Sequence, residues 1–515
     1  MSSAMHPLRP AALIPVLLLA CATPSTPAPG TSAPAAGAPG VSQTGTPDAP
    51  FRAVLPEPGP PVVFQPPVPQ VLRLRNGLEV WVVEQHQIPL ATMELVVRAG
   101  IDTDPPGRPG TASFVADMLD EGTALRDAPS IAAAFEDQAA IYRGQVDGSS
   151  LVAAVSFPAA SLGPVLDVFG DCVLHPAFRR ADLERVRALR LGDLAQLQAD
   201  PAQVGRTVLS RTVFGDQHPW AFPSLGTVES NTRAQADQLA AWHRTWVRPN
   251  NAVLVVVGDV RPAELVAGLE RRFGEWKSAP LPRRRSLSPA SRRPPRAVTV
   301  VDRPGAAQSE IWVGELGVGA ASPDLYPAEL ASMVLGGGLK SRLMANLRSS
   351  KGYSYGTFSV FDVQREPGLF AAEAPVVAAK TPEALHELLG EIQRLRDGGV
   401  EPAELADAKS SLIQSLPAEF DTTTAVARAF GRLVALRRPP DYFAGYVRRV
   451  EAVTREDVAR AAAARFNPAT LAIVVVGPLA ELRPGLEALG LGPITLRDAS
   501  GNAVKAARAV KAGTD

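Results

Sequence analysis

The chain has 515 residues, with 52 Lys plus Arg against 52 Asp plus Glu, and so no formal net charge. That length holds two or more domains with full cores, and the charge balance argues against nucleic acid as a partner, because phosphate binding leaves a basic footprint. Apolar residues make up 46%, the ordinary globular level, and part of the 49 prolines is explained by the N-terminus.

A short basic region with Arg9 precedes an apolar run, Ala11 to Ala20, that ends in "LLAC". The run is too short for a spanning helix but suits the core of a signal peptide, expected over residues 1–20. The cysteine directly after it resembles a bacterial lipobox, which implies that Cys21 is lipidated and becomes the mature N-terminus; a plain secretory signal with a chance cysteine is the alternative. A Pro/Ala/Gly/Ser/Thr-rich tether then fills residues 21–65. Ala22, where an aspartate would retain a lipoprotein in the inner membrane, resembles the outer-membrane sorting rule. The expected location is the cell envelope, anchored by lipid only and facing the periplasm. Cys172 has no partner once Cys21 is taken and is expected to be a buried thiol.

Strands are predicted at "LEVWVVEQ" and "ATMELVVRAG". The next segment, "ASFVADMLDEGT" (112–123), is predicted helical, with Gly122 as its stop. At 100° per residue, Ser113, Ala116 and Asp117 share a small, polar face that looks away from the core. Phe114, Val115, Met118 and Leu119 lie opposite. The i, i+3, i+4 spacing would let three side chains converge on one ion.

Two later stretches echo each other, "VESNTRAQADQLAAWHRTWVRPNNAVLVVVGDV" from Val228 and "VEAVTREDVARAAAARFNPATLAIVVVGPL" from Val450. Each runs from Val-Glu through Thr-Arg, a helix and an Asn/Pro turn to a buried strand ending in VVVG, which reads as a duplication. Strands also fall at "AVTVVD" and "SEIWVGEL". Alternating strands and helices therefore give an α+β chain of two homologous α/β domains, 66–277 and 298–485, each a mixed sheet against helices. The Pro/Ser/Arg-rich stretch 278–297 is expected to be a solvated linker, and 486–515 a C-terminal tail.

The frame "NGLEVWVVE…VVRAG…GTASFVADMLDEGT" is similar to the opening of M16 (pitrilysin/insulinase-type) peptidases, whose inverted zinc motif H-x-x-E-H lies within G-x-A-H-F-x-E-H-M-x-x-x-G-T. Gly110, Ala112, Phe114, Met118, Gly122 and Thr123 keep step with it. The chemical positions do not. Ser113 and Asp117 stand for the two zinc histidines, Ala116 for the general-base glutamate, and Asp193 is the nearest counterpart of the third ligand, a glutamate in a later helix. The six histidines, His6, His86, His175, His218, His243 and His386, include no pair close enough to share a helix. A catalytic zinc needs three N, S or O ligands and an open position, and no base remains to activate water. No cofactor is therefore expected in this chain.

The resemblance covers about 70–480 and implies the M16/LuxS-like metallohydrolase fold. In "LGGGLKSRLMANLRSSKGYSYG", Leu339 holds the place of the glycine that a phosphate-binding loop would need before Lys340, so such a loop is rejected. Gly336 to Gly338 resemble the family's glycine-rich turn, and Leu343 and Leu347 make an i, i+4 core stripe. Tyr353, Tyr355 and Thr357 are expected to alternate on one face of a strand. In M16 pairs the zinc-lacking half lends an arginine and a tyrosine, seven apart, to its partner's site; Arg348 and Tyr355 match that frame. A surface arginine and a core tyrosine are the bland alternative. The resemblance implies a chain inactive alone that joins a zinc-bearing H-x-x-E-H homologue around an unfolded or extended peptide. Two further readings are a structural scaffold in a membrane-associated complex and a stand-alone hydrolase, for which Ser113 has no histidine base nearby.

Overall fold

Runs of β-branched residues, too apolar to face water on either side, set the centre of each half. The computed structural model describes residues 64–285, 287 and 297–504. The first sheet holds β1 (Gln70–Arg73), β2 (Glu79–Glu84), β3 (Leu90–Val97), β4 (Ile141–Val146), β5 (Leu151–Pro158) and β6 (Ala252–Gly258), in the order β1-β2-β6-β3-β5-β4. The second holds β7 (Val298–Asp302), β8 (Gln308–Leu316), β9 (Phe358–Asp362), β10 (Leu369–Val377), β11 (Ala472–Gly477) and β12 (Ile494–Leu496), in the order β12-β7-β11-β8-β10-β9. The repeat is real in three dimensions. β6 is inserted parallel to β2 and antiparallel to β3, and β11 stands in the same relation to β7 and β8. Both are buried from end to end or nearly so, as continuous apolar strands should be.

Each sheet packs one face on helices of its own half. The other face is covered by a helix from the opposite half. The Pro201–Phe214 helix lays Val204, Val208, Leu209 and Phe214 on Val301, Trp312, Leu369, Ala371, Val474 and Val476 of the second sheet. The Thr423–Ala435 helix lays Val426, Phe430, Leu433 and Val434 on Trp81, Val83, Val96 and Val255 of the first. Four such side chains contribute roughly 10 kcal/mol of gross transfer free energy, an upper bound because the unfolded chain already buries part of that surface. The approach is close: a Cβ on Gly205 would lie 2.3 Å from Trp312 Cδ1, and one on Gly431 1.9 Å from Glu94 Oε1. The described residues accordingly belong to one compact unit rather than two beads on a linker.

Three boundaries differ from expectation. The segment taken as a tail supplies β12, whose backbone extends the second sheet beside β7. The start of the presumed solvated linker is docked: Ser278 Oγ donates to Asn76 O at 3.0 Å, and Arg284 pairs with the buried Asp102 while lying 5.4 Å over the Trp246 ring. A buried carboxylate at 102 explains why an arginine of this stretch leaves solvent. The 112–123 helix ends at Met118, and Gly122 sits beyond it in an isolated bridge. Cys172 is free and buried, and burial pushes its thiol up to about 12. Cys21, the signal segment and the tether up to residue 63 lie outside the described residues. Among those described, no helix is long and apolar enough to cross a membrane.

Candidate functional site

The Thr111–Met118 helix opens at Gly110, whose φ of 85° is left-handed and whose Cβ would meet Leu225 O at 2.5 Å. Asp104, buried, accepts from the backbone N–H of Gly110 and of Ala112, each at 2.7 Å, and so holds the orphan donors of the first turn. Burial dominates its titration and lifts its carboxyl to about 7 despite those two bonds. The small, polar face expected to look outward does not do so. Ser113 and Ala116 are both buried; Arg190 of the Arg180–Ala199 helix and the loop at Ser224 and Leu225 cover Ser113. Only Asp117 keeps some exposure, 16% of its side chain.

Between Ser113 and Asp117 sits the guanidinium of Arg190, 2% exposed. Its Nη2 donates to Ser113 Oγ at 2.9 Å, to Leu225 O at 2.9 Å and to Gly110 O at 3.3 Å. Its Nη1 forms an ion pair with the Asp117 carboxylate, and its Nε donates to Asn231 Oδ1 at 2.7 Å. The cation also lies 4.6 Å over the Phe114 ring. Asn231 is fixed in turn, its Nδ2 donating to Leu225 O at 2.7 Å and Thr227 O at 2.8 Å. The counterpart expected at Asp193 is corrected by this geometry. Asp193 stays on the exposed side of the helix, and Arg190, one turn earlier, is the residue brought to Ser113 and Asp117.

These residues do not fit a zinc ion. The place between the two motif positions is taken by a cation that belongs to the chain. What remains is one carboxylate, already paired, and one hydroxyl, already donating to Ser224 O. Ala116 offers no base, and its carbonyl is packed beneath β4, where a Cβ on Gly144 would lie 2.7 Å away. Among the described residues, no group of three His, Cys, Asp or Glu could hold a metal.

The second element is built differently. Leu343 and Leu347 are fully buried, as the i, i+4 stripe requires, and Met344–Ser350 winds as a π-helix, with Lys351 N donating five residues back to Asn346 O at 2.9 Å. Wide turns of this kind are rare and concentrate at functional positions. Arg348 projects from it into solvent. Gly352, at a φ of 64°, turns the chain back, and the backbone N–H of Tyr353 donates to Leu347 O at 2.8 Å. Ser354 Oγ donates to Gly356 O at 2.7 Å and Thr357 N lies 3.3 Å from Met344 Sδ, so the loop is tied to the helix that carries Arg348.

Tyr355 stands at the tip of that loop, 86% exposed. The expected alternation along a strand fails. Tyr353 is half-buried with the Lys380 ammonium 5.9 Å from its ring, Thr357 is buried, and β9 begins only at Phe358. The cause is local: the Ser354 hydroxyl captures backbone groups that a ladder would otherwise use. A core role for Tyr355 is excluded by its exposure.

Comparison with known proteins gives a consistent picture. The profile described as insulinase (peptidase family M16) matches residues 79–219, and the one described as peptidase M16 inactive domain matches 233–412. An uncharacterized zinc protease of Streptomyces coelicolor is 23% identical over 419 residues, 79% of this chain and 89% of that one. The crystal structure of a peptidase M16 inactive domain from Pseudomonas fluorescens superposes with a TM-score of 0.74 at 25% identity, over 80% of this chain and 98% of that one. A chain of complex III2 from Candida albicans shares the fold at a TM-score of 0.67 and 15% identity, over 81% and 99% of the two chains.

Proposed function

This chain belongs to peptidase family M16, and from that membership we propose that it is the zinc-less half of a two-chain peptidase, carrying no zinc itself and completing the site of a homologue with an intact H-x-x-E-H motif. The observation that carries the reading is the buried Arg190 guanidinium between Ser113 and Asp117. A chain whose ion position is filled by its own cation has no peptidase chemistry of its own there, while Arg348, on the π-helix, and Tyr355, on the loop tied to that helix, are both presented outward. In the partner's site the Tyr355 hydroxyl would donate to the oxyanion that forms at the scissile carbonyl, and the planar Arg348 fork would hold a carbonyl or carboxylate of the extended peptide. Anchoring through a lipidated Cys21, in the outer membrane facing the periplasm, is part of the same proposal.

A scaffolding role in a membrane-associated complex is the second reading, favoured by the fold shared with a chain of complex III2. The test is reconstitution. The chain alone, taken from about residue 60, should contain no stoichiometric zinc by elemental analysis and cleave no unfolded peptide, whereas mixing with the zinc-bearing homologue should give chelator-sensitive cleavage above that of either chain. A mixture no faster than the homologue alone would favour the scaffold.

A further inference from the structure

Beside the start of the Thr111–Met118 helix lies a cavity of about 380 Å³ that the two-chain reading leaves unused. Arg108 and Thr111 form one wall, and Glu229, Arg233, Gln238 and Leu239 form the other. The volume falls within the range of small-ligand pockets. Both walls are fixed by bonds of their own. On the first, Thr111 Oγ1 donates to Arg108 O at 2.8 Å, and Arg108 N donates to Pro105 O at 3.0 Å. On the second, Thr227 and Ser230 cap the start of the Val228–Arg233 helix reciprocally. Arg187, from the Arg180–Ala199 helix, closes its other end by donating to the carbonyls of Asn231, Thr232 and Ala234, the last two at 2.8 Å.

The charges at the rim do not cancel. Arg233 pairs with Glu229 at 2.7 Å, but the side chains are 78% and 70% exposed, so the pair contributes little and the guanidinium can turn to a ligand at small cost. Arg108 is exposed and has no carboxylate partner among the described residues. The lining residues therefore hold one net positive charge. Arg187 meanwhile neutralises the carbonyl end of the Val228–Arg233 helix, which would otherwise repel an anion. Gln238 adds an amide that both donates and accepts, and Leu239 and Ala234 add apolar wall. One surplus cation matches a single negative charge, which favours a carboxylate over a phosphate dianion. An amide beside apolar wall suits the peptide group and side chain that precede a terminal carboxylate.

We propose that this cavity binds the C-terminal carboxylate of a peptide. The planar fork of Arg108, with Arg233, holds the two oxygens, Gln238 holds the last peptide group, and the last side chain lies against Leu239. The proposal rests on the reading above only in taking a peptide as the ligand. A small organic acid carries the same carboxylate, and the test separates the two sources.

The test uses this chain alone and an eight-residue peptide of alanine, serine and glycine, labelled at its N-terminus and made as the free C-terminal acid or as the amide. At pH 7 fluorescence anisotropy should give about tenfold tighter binding of the acid, the size expected for a guanidinium contact to one carboxylate at an exposed rim. Arg108→Gln should erase that difference and leave the melting temperature unchanged. Arg108→Lys, which keeps the charge but loses the fork, should keep part of it. Unlabelled N-acetylalanine should displace the acid peptide severalfold less well than the unlabelled peptide does, and inorganic phosphate less well still. Equal binding of acid and amide overturns the proposal, as does a difference that survives Arg108→Gln. Phosphate displacing better than N-acetylalanine makes this a phosphate site, and N-acetylalanine matching the peptide makes it a site for small acids; either overturns the peptide assignment. All four results leave the two-chain reading standing, because that reading is judged by cleavage in the reconstituted pair.

Discussion

Removing the Arg190 side chain should be among the most damaging single substitutions in the first half of the chain. The guanidinium is 2% exposed and serves five acceptors: Ser113 Oγ, the Asp117 carboxylate, Asn231 Oδ1 and the carbonyls of Gly110 and Leu225. Breaking a buried ion pair by deleting one member costs about 3–5 kcal/mol, because the other charge is left uncompensated. Here the lower half of that range applies to the pair, since Asp117 retains 16% exposure and water can reach it. The orphaned Asn231 Oδ1 adds on the order of 1–2 kcal/mol, so Arg190→Met should lose about 4–6 kcal/mol in urea denaturation. Arg190→Met/Asp117→Asn removes both charges of the pair and should recover about half of that loss, a coupling that a double-mutant cycle measures directly. A single variant within about 1 kcal/mol of wild type, or a double variant worse than the sum of the singles, would refute the view that this cation organises the helix.

Restoring the motif by Ser113→His/Ala116→Glu/Asp117→His should not create a zinc site while Arg190 remains. Adding Arg190→Glu should be needed before elemental analysis finds any zinc, and stoichiometric metal in the triple variant would contradict this. Stability should fall as pH rises. Burial lifts Glu94, Glu329 and Asp104 to about 7 and raises Glu310 and Glu373 in the same direction. A carboxyl raised in the folded state costs nothing below its unfolded value and penalises folding increasingly as pH climbs through the folded one. The melting temperature should therefore drop between pH 5.5 and pH 8.5, and a rise across that window would sink the assignment. Cys21→Ser should move the protein from the membrane to the soluble fraction, and unchanged fractionation would remove the lipid anchor from the account.

The repeat was legible because VVVG-ended apolar strands can only be central, and β6 and β11 are. β4 and β9 were not: the edge strand "IYRGQV" alternates exposed and half-buried residues without an apolar run. The exchange of helices across the two halves was hidden for another reason. An apolar stripe such as Val426, Phe430 and Leu433 announces that it will be buried, not which sheet will bury it. Arg190 left one readable trace. Leu183, Val186, Arg190 and Leu194 are the buried residues of their helix, so the arginine interrupts a core stripe at helical spacing. Counting carboxylates for a lost metal led to Asp193, when the periodicity already turned position 190 inward. The π-turn under Arg348 and the Ser354 turn that lifts Tyr355 off the strand depend on competition among backbone bonds, which composition does not reveal.

The central claim is that this chain serves catalysis through Arg348 and Tyr355 in another chain's site. Its most direct test is the kcat/KM of the reconstituted pair on an unfolded peptide, with Tyr355→Phe in this chain. The ring is 86% exposed, so loss of the hydroxyl should leave folding and partner affinity unchanged. If that hydroxyl meets developing charge in the transition state, kcat/KM should fall roughly ten- to a thousandfold, and Arg348→Lys, which keeps charge but loses the fork, should also slow turnover. Wild-type rates from both variants, in pairs that still assemble, would contradict the account and leave the scaffold in its place.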